Sequence, residues 1–359
     1  MKPLPQKYMM RIHTKLIFYI YFSDTRVMQK LNFLVDLDKM ENEMIDLENK
    51  VNVINFDPNA SFAYNKFISE YGHNIKIAPI YKNDRLIGAC YVELQNEYSH
   101  IRYLIQGGII YLDGFKDAVE EFIDKNFSQK NLCVRYVLFQ QLNFERLHKI
   151  KHLPRTTLIP IKETEEEQRK LLIKGRRRDI TKAVKLELVV RELNDIQEWE
   201  EMFNLLKELS NYRSYDLDIN MDLLKVYYKE LYPKRIAIAF GCFKGKDMIA
   251  VDLVLFSKNR GREKIIAEKP DQMNTGAQSY LIWETINYCR KNNIKYLDLA
   301  GTPPEYSYMQ GISNFKNSFG GDSLNIQIYD ENSIKRLMQN IKLSPLFLKF
   351  QRIYKSKKV

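Results

Sequence analysis

Two largely apolar runs, Ile75 to Tyr81 and Leu86 to Leu94, are joined by Lys82-Asn83-Asp84-Arg85, the spacing and chemistry of a β-hairpin. Ahead of them, Leu31 to Leu37 predicts a strand and Ser61 to Tyr71 a helix stopped at Gly72. Behind them come a strand over Ile101 to Tyr111 that crosses Gly107-Gly108, a helix over Lys116 to Phe127 and a strand over Val134 to Gln140. The order then recurs. Leu188 to Glu192 reads as a strand, Ile196 to Leu209 and Met221 to Leu231 as helices, and Ile236 to Phe243 and Met248 to Phe256 as strands about the tight turn Lys244-Gly245-Lys246-Asp247. A strand at Lys264 to Glu268, a helix at Gln278 to Asn292, a strand at Lys295 to Leu299, a helix at Glu305 to Phe319 and a strand at Ser323 to Tyr329 complete the series. Each half therefore carries helices, a hairpin, then alternating helix and strand, which predicts mixed α/β sheets. No repeat of residues accompanies the repeat of elements.

Between the halves an acidic run, Glu163 to Glu167, gives way to a basic stretch, Arg169 to Lys185, with eight Lys or Arg against one Asp. The change of character places a boundary there, giving an N-terminal domain over 1–165, with 1–30 an unassigned leader, and a C-terminal domain over 166–335. A last segment, 336–359, follows. Its Lys342 to Lys358 stretch holds six Lys or Arg and no acid, with Leu346, Phe347, Phe350, Ile353 and Tyr354 at helical spacing. That is the pattern of a basic amphipathic helix that lies on an anionic membrane, or that packs its stripe on its own domain.

The 359 residues are enough for two cores, and 45% apolar with 28% charged residues excludes a disordered chain. The longest uninterrupted apolar run, Leu16 to Phe22, is seven residues, against the ~20 that cross a bilayer. Lys2, Lys7 and Arg11 precede it without a small-residue cleavage site, so export is not the expectation. Cys90, Cys133, Cys242 and Cys289 stand far apart with no C-x-x-C, which suits a reducing cytoplasm. A net charge of +11 favours polyanionic partners.

Two places hold candidate chemistry. Gly276-Ala277 opens an amphipathic helix, and small residues at a helix start leave backbone N–H groups and a positive dipole end for a phosphate or an oxyanion; a loop that simply fits its turn is the plainer explanation. In Phe315-Lys316-Asn317-Ser318-Phe319-Gly320-Gly321 a lysine sits between aromatic residues before a Gly-Gly break, either a held ammonium or a solvated surface lysine. All five histidines, His13, His73, His100, His148 and His152, fall in the first half, so a Cys-His or Ser-His pair with Cys242 or Cys289 has to cross the boundary. Gly241-x-x-x-Gly245-Lys246-Asp247 is one residue short of a phosphate loop and lacks its Ser/Thr, and no metal-ligand spacing occurs.

Together, GRRRDITKAVKLELVVRE (175–192), GAQSYLIWETINYCRKNNIKYLDLAG (276–301) and ISNFKNSFGG (312–321) resemble three signatures of the FemABX-like N-acyltransferases, which attach amino acids to peptidoglycan precursors, and of their acetyltransferase cousins. The resemblance covers roughly Lys174 to Gly321. It implies two tandem GNAT-like N-acyltransferase domains. It also implies that Lys316, with Phe315 beside it, lies where the activated acyl donor reacts, and that Arg177, flanked by Arg176 and Arg178, grips an acceptor phosphate as a guanidinium fork. Gly276 and Ala277 join these as substrate-binding candidates. The proton acceptor is not identified; Asp298 and Glu305 are candidates, as are the substrate's own groups.

The sequence departs from the family in two respects. A coiled-coil arm is absent, and Gln272 to Ala277, QMNTGA, is not a complete coenzyme A loop. Aminoacyl-tRNA is therefore the expected donor, a primary amine of a cell-envelope precursor, lipid-linked if the last helix docks, the expected acceptor, and the cytoplasm or the inner face of the membrane the expected location, with no bound cofactor required. Two alternatives stay open: acyl-coenzyme A acylating an amino sugar or polysaccharide, and a non-enzymatic RNA-binding protein on the same scaffold.

Overall fold

In a computed structural model, residues 33–51, 57–97, 100–106, 108–127, 132–137, 142, 155–214, 217, 219–302 and 310–330 are described. The leader over 1–30, Glu305 and the segment over 336–359 lie outside them. Among the described residues no helix is long and apolar enough to cross a membrane.

The first sheet is built from β1 (Val35–Asp36), β2 (Ile75–Lys82), β3 (Arg85–Glu97), β4 (His100–Gln106), β5 (Ile110–Tyr111) and β6 (Leu132–Val137), with α1 (Glu41–Lys50), α2 (Phe62–Glu70) and α3 (Lys116–Phe127) between them. The expected hairpin is there: Lys82 pairs with Arg85, and Asn83 and Asp84 both take positive φ, 51° and 58°, as a tight two-residue turn demands.

The second half begins with β7 (Arg155–Pro160), α4 (Glu165–Leu171) and α5 (Lys174–Lys185). The acidic-to-basic switch is these two helices in succession. Thr164 and Glu167 form a reciprocal cap on α4, whose first turn holds Glu165, Glu166 and Glu167, favourable against the helix dipole. Then follow β8 (Val189–Glu192), α6 (Ile196–Arg213), α7 (Met221–Val226), β9 (Ala237–Lys244), β10 (Asp247–Phe256), β11 (Arg260–Glu268), α8 (Ala277–Lys291), β12 (Tyr296–Thr302), α9 (Gln310–Asn317), β13 (Asp322–Asn325) and β14 (Gln327–Asp330).

The two sheets repeat one plan. The first runs β1-β2-β3-β4-β6-β14, with β5 on β3; the second runs β13-β7-β12-β11-β10-β9-β8. Each is antiparallel except for one parallel pair, β4 with β6 and β11 with β12, and a helix, α3 or α8, carries the chain across each time. The boundary expected at 165/166 is crossed in both directions. β7, placed ahead of it, lies between β12 and β13 in the second sheet, while β14, placed behind it, pairs with β6 in the first. The single strand expected over Ser323 to Tyr329 is two strands in different sheets, changing over at the buried Ile326.

Both faces of the second sheet are covered. α5 and α8 close one core with Ile180, Ala183, Leu281, Ile282, Ile286 and Phe319; α6 and α7 close the other with Trp199, Met202, Leu206 and Leu224. Cys90, Cys242 and Cys289 are buried free thiols whose titration burial pushes upward, that of Cys242 to about 12. They behave as small apolar residues.

Candidate active site at the divergence of two strands

The parallel strands β11 and β12 pair only over Arg260 with Tyr296, Gly261 with Leu297 and Arg262 with Asp298, and then part. The first residues beyond the last pair are Glu263 and Leu299. Into this wedge the last turn of α9 delivers Lys316, 8% exposed, whose Nζ donates to Glu263 Oε2 at 2.9 Å and to the Leu299 carbonyl oxygen. The carbonyl, left without a ladder partner on that side, is satisfied. Lys316 is therefore not a solvated surface lysine.

Phe315 carries the site outward. Its ring stacks edge-on with Phe319 at 5.4 Å, and the Arg176 guanidinium of α5 lies over it, 4.8 Å from the centroid. Arg176 also donates to Ser279 Oγ in the first turn of α8 at 2.8 Å and pairs with Asp179 at 3.1 Å. Three segments far apart in sequence thus meet through Arg176, Phe315 and Ser279. Successive helix residues project about 100° apart, so of the three arginines only Arg176 joins this cluster. Arg177 is half-buried and Arg178 exposed, and neither side chain bonds to it.

The glycines serve close packing. Gly276, at φ 84°, caps α8 where a Cβ would collide with the Asp179 carbonyl, and at Gly320 one would lie 2.5 Å from the Leu171 carbonyl oxygen. The helix start itself is closed from within. The Ala277 N–H reaches Thr275 Oγ1 at 3.3 Å, and the Gln278 N–H bonds the Glu268 carboxylate. Burial pushes Glu268 up to about 7 against that bond and the charge of Arg213, and its Oε1 has no partner among the described residues. The N–H groups expected to be open to an external anion are in part already used.

Beneath the wedge Arg260 pairs with Asp298 and Arg262 with Asp57, with the cross contacts at 3.7 Å and 3.9 Å. Asp298 also accepts from the Ala300 N–H at 2.8 Å, and Thr156 Oγ1 bonds it. Burial works against its charge, but the two guanidiniums prevail and hold its carboxyl below the usual range. This corrects the expectation of a proton acceptor at Asp298: it is an enclosed anion with its oxygens engaged. On the same sheet face as Glu263, Asp252 of β10 accepts from Thr285 Oγ1 of α8 at 3.1 Å.

Asp252, Glu263, Arg260 and Glu268 were not singled out in the sequence. One signal was present: Asp252 interrupts the otherwise apolar run Met248 to Phe256, and a lone acid in a buried strand needs a partner.

No family model and no curated protein sequence matches the chain. Solved structures do. FemX is similar at a TM-score of 0.69 and 12% identity, over 83% of this chain and 98% of that one. L-PGS from Bacillus licheniformis gives 0.56 and 11% over 89% and 99%. The C-terminal domain of a putative lysylphosphatidylglycerol synthetase from Agrobacterium fabrum gives 0.53 and 10% over 84% and 97%. The chain has the FemX-like fold, in agreement with the resemblance carried by the three motifs.

Proposed function

We propose that this protein is a FemX-like acyltransferase with two GNAT-like lobes that moves an aminoacyl group from aminoacyl-tRNA to a primary amine of a cell-envelope precursor. One observation carries the proposal: the three motif segments converge on Arg176, Phe315 and Lys316 at the opening of β11 and β12. In that reaction the amine nitrogen bonds to the acyl carbon, negative charge gathers on the carbonyl oxygen, and the bond to the tRNA ribose oxygen breaks. A fixed ammonium in a water-poor wedge stabilises that charge without reorganising. Two of the three Lys316 N–H groups are held by the protein, which fixes the direction of the third.

Two features support tRNA over coenzyme A as donor. A carboxyl already occupies the start of α8, where a diphosphate would otherwise find N–H groups and a positive dipole end. The outward side of α5 exposes Lys174, Arg178 and Lys185, and RNA phosphates favour such a surface. The name of one structural neighbour, a putative lysylphosphatidylglycerol synthetase, makes a lipid the acceptor to test beside the peptide amine.

Mass spectrometry of envelope precursors and lipids from cells with and without the protein names the group and its acceptor. A precursor that loses one amino-acid mass in the deletion supports the proposal. An acetyl mass on a sugar instead assigns coenzyme A chemistry, and salt-sensitive RNA binding with no transfer to any acceptor assigns a non-enzymatic role.

A further inference from the structure

Lys316 has more acid around it than one ammonium needs. Asp252 is opposite Ile266 across the β10–β11 ladder, and Glu263 is opposite Val254, so the two acids are diagonal neighbours on the sheet face that α8 covers, within reach of long side chains. Asp252 is 1% and Glu263 4% exposed. Each has one carboxyl oxygen engaged, Asp252 Oδ2 by Thr285 and Glu263 Oε2 by Lys316, and each has one buried oxygen, Oδ1 and Oε1, with no donor among the described residues. Two neighbouring acids that each keep one buried oxygen without a donor are what a carboxylic acid beside a carboxylate leaves behind. Two adjacent buried carboxylates against one ammonium are also electrostatically untenable.

We propose that Asp252 and Glu263 share a single proton beneath α8, and that Glu263 is the positioning residue that holds the Lys316 ammonium in the strand divergence. The cluster then carries one positive and one negative charge. The other titratable groups facing it are Cys289 from α8, a neutral thiol, and Asp298 from β12, whose charge Arg260 and Arg262 balance. Burial, and the repulsion of each acid by its neighbours, push both acids upward, while Lys316 opposes this. Asp252, which Lys316 does not touch, is the one that keeps the proton. The share Lys316 takes in catalysis rests on the function proposed above; the shared proton does not.

The test is infrared spectroscopy of the full-length protein at about pH 8.5, more than one unit above the value of about 7 for Glu48 and Glu268, so that those two acids are ionised. A protonated-carboxyl band is expected in the wild type and is expected to vanish in Asp252→Asn, where Glu263 stays ionised against Lys316, and to persist in Glu263→Gln, where buried Asp252 keeps its proton. A wild-type spectrum without the band, or a band that survives Asp252→Asn, overturns the shared proton. Once a transferable substrate is in hand, Glu263→Gln should lower kcat about 100-fold through misplacement of Lys316 while leaving KM unchanged. A KM effect alone, or unchanged kinetics, overturns the positioning role and leaves the infrared result to stand by itself.

Discussion

Two buried ionic clusters sit side by side where β11 meets its neighbours, and they are built differently. Around Arg260, Arg262, Asp57 and Asp298 two cations face two anions, and Asp298 is further held by a backbone N–H and a threonine hydroxyl. Around Lys316 one cation stands among two acids, and two carboxyl oxygens lack a donor among the described residues. The first arrangement holds charge still; it ties the short turn at Asp57, ahead of α2, to the strands of the second sheet. The second leaves a proton to be placed and an ammonium N–H to be used. Balanced charge marks the scaffold here, and an excess of acid over ammonium marks the candidate for chemistry.

The largest expected effect comes from the balanced cluster. Asp57→Ala takes from Arg262 its nearest carboxylate in the interior and should cost about 3–5 kcal/mol, the usual effect of removing one partner of a buried pair, as read from the midpoint of urea unfolding. Lys316→Met should cost less, and its cost should depend on pH. Near pH 5 Glu263 can take up a proton and lose its charge, whereas at pH 8 it cannot without further loss. A Lys316→Met effect equal at both pH values would erase the distinction between the clusters. Next comes Arg176→Ala, which removes the contact with Phe315 and the bond to Ser279; about 1–2 kcal/mol is expected from a partly buried cation–π pair and a charged hydrogen bond, together with a loss of transfer.

The smallest effects are titrations. Asp298 is held below its ordinary value, so its contribution is present above the unfolded pKa and is lost as pH falls through the lower folded value. Glu268 is raised, so its contribution is complete below 4.5 and is lost as pH rises towards about 7. Glu268→Gln should therefore flatten the decline of the melting temperature between those two pH values. Asp252→Asn should do the same over a window that begins near 3.8 and extends further upward.

The fold was legible where local chemistry decided it. The Asn83-Asp84 turn, the helix following Gly276 and the strands about the two hairpins follow from periodicity and turn residues, whereas the helices Glu41–Lys50, Glu165–Leu171 and Lys174–Lys185 were not expected and the strand expected over Ile101 to Tyr111 is two. The exchange of β7 and β14 was not legible, because no strand was expected at Arg155–Pro160 and β14 read as one strand with β13, and nothing in so short a strand marks which sheet it will join. The site was half legible. Lys316 and Phe315 stood out beside the Gly-Gly break, but which of the three arginines meets Phe315 is fixed by the packing of α5 against α8, where Gly276 meets the Asp179 carbonyl. Glu263 lies next to Arg262 in a mixed stretch of strand and looks like any exposed charge until the divergence of β11 from β12 encloses it.

The most direct measurement is single-turnover transfer from charged tRNA to extracted envelope precursors by the double variant Lys316→Met with Glu263→Gln. It removes both charges of the pair together, so no ion is stranded and the protein should melt within a few degrees of the wild type. Transfer should then fall about 100- to 1000-fold, the loss that follows removal of a charge-stabilising donor. A folded double variant that transfers at the wild-type rate would contradict the assignment of chemistry to this wedge.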